Sequence, residues 1–128
     1  MIYLYVYIFF IFNLDKPQPP TNLSFVDISF NGANLSWIPG FDGGEAQSFS
    51  VTVLNEEGGI ISTFKVDNET RKDTTIYHTL TKLHPKTSYD VEVVAKNNFG
   101  TSKTTLKLTT VGKLFWNNLI VLLNCVVA

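Results

Sequence analysis

From Asp15 to Thr110 apolar and polar residues trade places at every second position, in run after run. Ala33, Leu35 and Trp37 alternate with Asn34 and Ser36, and Phe49, Val51 and Val53 with Ser50 and Thr52. Ile76, His78 and Leu80 alternate with Tyr77 and Thr79. Tyr89, Val91, Val93 and Ala95 alternate with Asp90, Glu92 and Val94, and Leu106 and Leu108 flank Lys107. A period of two belongs to a strand with one buried face. Leu23, Phe25 and Val26 open an earlier run that fades at Asn31-Gly32, and Ile61 to Val66 form a shorter one. Turn residues separate the runs: PGFDGG at 39–44 and NEEGG at 55–59 are the plainest. No stretch between 15 and 110 keeps a period of 3.6. The pattern predicts an all-β domain, a seven-stranded antiparallel Greek-key β-sandwich. Outward Lys103 and Lys107, with the prolines of DKPQPP at 15–20, would keep the edge strands from pairing with other chains.

One connection is unusual. LHPKTSY at 83–89 falls where the chain must leave one sheet for the other. Leu83 fills the end of the core, Pro85 and Thr87 set the bend, and Tyr89 begins the next strand. A tyrosine there can bury its ring while its hydroxyl bonds a backbone group a few residues upstream.

This L-x-P-x-T-x-Y arrangement resembles the fibronectin type III family. PPTNL (19–23) resembles the family's lead-in, and LSWIP (35–39) carries its second-strand tryptophan, Trp37. VEVVAKNNFGTS (91–102) is similar to the family's A-x-N-x-x-G-x-S stretch. The resemblance covers residues 16–110. Within the family, WIPGFDGGEAQSFSV (37–51) looks like the corresponding segment in immunoglobulin-superfamily adhesion receptors, of nephrin-like or turtle-like kind. Muscle-type repeats share the D-G-G turn, but Pro85, Thr87 and Glu92 side with the receptors. The resemblance implies a non-enzymatic, extracellular protein-interaction and spacer module, on the plasma membrane or secreted. Its partners would be neighbouring immunoglobulin or fibronectin type III domains and adhesion proteins. The alternative is a structural repeat of an intracellular muscle-type scaffold.

Composition alters the picture at the two ends. The chain of 128 residues is 45% hydrophobic and 16% charged, low in charge for a soluble domain. The excess lies in IYLYVYIFFIF (2–12) and LFWNNLIVLLNCVV (114–127). Residues 1–15 therefore read as a signal-like segment or a non-native flank. Residues 111–128 read as a truncated membrane anchor or a non-native flank. A net charge of -1 gives no basic footprint for nucleic acid. The lone cysteine, Cys125, cannot form a disulfide within the chain.

Candidate chemistry is sparse. His78 and His84 have no zinc-site spacing, and DGGE at 42–45 lacks the alternating ligands of a calcium loop. Neither G-x-S-x-G nor H-E-x-x-H is present, so the expectation is no enzyme, no metal and no cofactor. Three N-x-S/T stretches place glycosylation candidates at Asn22, Asn34 and Asn68. Asn97, Asn98 and Phe99 form an expected partner-contact loop. Trp37, Leu83 and Tyr89 are the expected structural core.

Overall fold

The computed structural model describes residues 13–66 and 74–113. Both long apolar runs and Asn68 lie outside the described residues. Seven strands follow one another: β1 (Thr21–Val26), β2 (Ala33–Ile38), β3 (Ser48–Leu54), β4 (Ile60–Val66), β5 (Ile76–Leu80), β6 (Ser88–Asn97) and β7 (Gly100–Thr109). They form two antiparallel sheets, β1-β2-β5 and β4-β3-β6-β7.

The alternation becomes a core because its inward set meets face to face. Leu35 and Trp37 of β2, Val51 and Val53 of β3, and Val91, Val93 and Ala95 of β6 are all fully buried. The two inner strands of the larger sheet, β3 and β6, thus supply most of the floor under Trp37. Branched side chains suit a pleated, packed surface, which is why they hold these positions. The Trp37 and Phe49 rings lie 5.8 Å apart and tilted by 56°, an arrangement that suits the charge distribution of aromatic rings. Connections between sheets occur at 39–47 and 81–87, so both the D-G-G turn and LHPKTSY are crossings.

Three details depart from the hydrophobic pattern. Val26 faces outward, opposite Asn34, while Leu23 and Phe25 pack against the core. β4 begins at Ile60, and both Ile60 and Ile61 are exposed. β7 starts at Gly100, well before Leu106, because its first inward positions are hydroxyls. Ser102 donates to the Pro17 carbonyl and Thr104 to the Pro20 carbonyl, each at 2.6 Å. Prolines offer carbonyls but no N–H, so side-chain donors take up the acceptors of the lead-in. Lys103 and Lys107 lie exposed on this edge strand and pair with Glu92 (3.0 Å) and Glu56 (4.0 Å).

Candidate interaction surface

The chain enters the sandwich at one pole and leaves at the other. At the entry pole a single side chain ties three segments together. Asn97, the last residue of β6, donates from Nδ2 to the Asp15 carbonyl (2.7 Å) and the Asp42 carbonyl (2.8 Å). Its Oδ1 accepts the Phe99 N–H at 2.8 Å. All three contacts spend the amide internally, and Asn97 is buried. Asn97 is therefore turned inward, within the loop for which the sequence expectation is partner contact. Asn97 continues the inward phase of Tyr89, Val91, Val93 and Ala95, and Asn98 does not. Asn98 and Phe99 do stand at the exposed hairpin tip. Asn98 reaches Glu45 Oε1 at 2.8 Å. Phe41, in the turn after β2, is exposed at the same pole. Gly43 is required there: its φ is +79°, and a Cβ would strike the Asp15 carbonyl.

At the exit pole, LHPKTSY closes as a hydrogen-bonded corner. The Tyr89 hydroxyl accepts the His84 N–H at 2.8 Å, with its ring buried against Leu83 and the rest of the core cluster. Thr110 is the residue that sequence reasoning missed. It is buried, donates its hydroxyl to the His84 carbonyl at 2.6 Å, and accepts the Thr87 N–H at 3.0 Å. A threonine at the end of a threonine-rich strand carries no signal of that role. Ile28, Phe30 and Val111 are exposed at this pole, with the Lys113 ammonium 5.8 Å from the centre of the Phe30 ring.

No group of three or more His, Cys, Asp or Glu side chains is placed to hold a metal among the described residues. No described helix is long and apolar enough to cross a membrane. His78 packs its ring 5.1 Å from Phe64, and its Nε2 is buried without a hydrogen-bond partner. Burial lowers its pKa below the ordinary value of 6.5. Between that lowered value and 6.5 the unfolded chain holds a proton that the folded chain refuses. Stability therefore falls as pH drops through the window. His78→Phe should flatten this part of the stability curve in thermal melts taken from about pH 7 to about pH 5. An unchanged pH slope would assign the effect to another group.

Asn22 and Asn34 both lie on the three-stranded sheet, at its edge and on its central strand.

A family model, "Fibronectin type III domain", matches residues 18–111. This chain belongs to the fibronectin type III family. The domain is 36% identical to human nephrin over 105 residues, 78% of this chain and 8% of nephrin. It is 35% identical to human protein turtle homolog B over 87 residues, 68% of this chain and 6% of that protein. The chain thus spans under a tenth of the length of these relatives. A solved structure of titin domains A168–A170 superposes with a TM-score of 0.56 at 28% identity, over 76% of this chain and 33% of that one. The fibronectin type III domain has the expected two-sheet architecture.

Proposed function

We propose that this domain is a non-enzymatic module on the extracellular side of an adhesion or recognition receptor, where it spaces neighbouring domains and meets protein partners. The observation that carries this reading is the similarity to nephrin and turtle homolog B along two thirds or more of the chain. Geometry supports the spacing role. Asp15 enters beside Gly43, and Val111 leaves beside Ser29 and Lys86, at opposite ends of the strands. Exposed aromatics stand at both poles: Phe41 and Phe99 at entry, Phe30 at exit. Apolar side chains at the ends of such a unit are suited to abut the domains before and after it.

The titin likeness favours a second reading, a structural repeat inside an intracellular scaffold. An antibody raised against the folded domain separates the two. On cells making the natural protein, staining without permeabilisation is the expected result. Staining that requires permeabilisation would assign the domain to the scaffold.

A further inference from the structure

Two of the three N-x-S/T stretches run side by side. Asn22 to Ser24 lies along β1 and Asn34 to Ser36 along β2, with Ser24 opposite Ser36 and their hydroxyls 3.0 Å apart. Both serines therefore face outward from the three-stranded sheet. Asn22 is exposed, has a φ of +54°, and sits where the ladder skips between Thr21 and Ser24. Short polar side chains tolerate that backbone region, and no side-chain hydrogen bond engages this one among the described residues.

Asn34 is engaged, but only in part. Its Oδ1 accepts from the Thr79 hydroxyl at 2.9 Å, and its Nδ2 donates to Asp27 Oδ2 at 3.1 Å. An amide nitrogen has two hydrogens, so one is uncommitted. Replacing that hydrogen with a sugar leaves the native bonds intact.

An aromatic ring waits next to it. Tyr77 lies opposite Ser36 and is 69% exposed, while Thr79 lies opposite Asn34. Tyr77 is thus the diagonal neighbour of Asn34, at about 7–8 Å in ordinary sheet geometry and within reach of a large side chain. Across the ladder it meets Ser36 directly and Asn34 and Ile38 diagonally, and its ring remains largely open to solvent among the described residues. A pyranose presents C–H groups of partial positive charge, the complement of the negative face of a tyrosine ring.

We propose that Asn34 is an N-glycosylation acceptor whose first sugar packs on Tyr77, and that Asn22 carries a second glycan on the same face. The inference deepens the extracellular reading and rests on it. In the transfer, Nδ2 loses one proton and bonds to the anomeric carbon of an oligosaccharide carried on a lipid pyrophosphate. The lipid pyrophosphate leaves with the electron pair of the broken C–O bond. The three-stranded face then becomes a carbohydrate face, and protein contacts fall to the four-stranded sheet and the poles.

The test uses the full chain behind a cleavable secretory signal, made in a secretory cell with Asn68→Gln to silence the third stretch. Intact mass should show two oligosaccharide increments, both released by peptide N-glycosidase. Asn34→Gln and Ser36→Ala should each remove the same one, whereas Ser36→Thr should retain it. Asn22→Gln and Ser24→Ala should remove the other. Ser36→Ala keeps the Asn34 contacts, so its loss of an increment cannot come from a broken fold. Folded, secreted chain lacking either increment overturns the proposal. Tyr77→Ser should lower the Tm of the chain glycosylated at Asn34 more than that of the Ser36→Ala chain. Equal lowering in both overturns the packing on Tyr77. Because the signal is supplied, an intracellular natural protein would sink the extracellular reading while leaving these results standing.

Discussion

Trp37→Ala should destabilise the domain by about 3 to 5 kcal/mol. Total stability of a domain this size is about 5 to 15 kcal/mol, so the variant would sit near the edge of folding. The loss follows from position. Trp37 is fully buried and packs its ring against Phe49 across the sheet interface. Truncation opens a cavity between two sheets whose backbones are held by ladders, and ladders cannot collapse far to fill it. The indole Nε1–H has no hydrogen-bond partner among the described residues, which costs free energy in the native state. Trp37→Phe removes that orphan donor with part of the ring and should be milder than the alanine variant. Urea melts would register the change as a lower midpoint at an unchanged slope. A loss below about 1 kcal/mol for Trp37→Ala would contradict the core position of the ring.

The second large effect is at the corner. Leu83→Ala should cost about 2 to 5 kcal/mol, since Leu83 is buried at the end of the core. Tyr89→Phe leaves the ring in place but strips the acceptor from the His84 N–H, at a cost of about 1 to 3 kcal/mol. The two residues flank the same backbone, Leu83 directly before His84 and Tyr89 bonded to it. Once Leu83→Ala has loosened the turn, the His84 N–H can find water, so the double variant should lose less than the sum. A double-mutant cycle in chemical denaturant checks this. Strict additivity, or a Tyr89→Phe variant as stable as the parent within about 0.3 kcal/mol, would show that the hydroxyl bond holds nothing.

Much of the fold was legible in alternation, and the reason is physical. A strand with one buried face must repeat every second residue, so β2, β3 and β6 announced both their type and their inward faces. Where burial is incomplete the rule weakens. The early half of β7 escaped notice because hydroxyls at Ser102 and Thr104 serve the lead-in carbonyls instead of the core. Val26 helps open the first apolar run yet faces out, because strand phase is set by pairing with β2 and not by hydrophobicity.

Local sequence by itself determined the strand periods, the turns, the buried tryptophan and the family-like corner, because each depends on neighbours within a few residues. Tertiary structure alone decided what the inward polar side chains bond to. Asn97 and Asn98 are adjacent and chemically identical. One is buried on the carbonyls of Asp15 and Asp42, 82 and 55 residues away in sequence, and the other is exposed at the tip. Thr110 likewise becomes a structural residue only because the last strand ends beside the corner. Tyr77 and Asn34 become neighbours only through the β2–β5 register. A hydrogen-bonding side chain takes its role from what the fold brings within about 3 Å of it, and that distance is not written in the order of the residues.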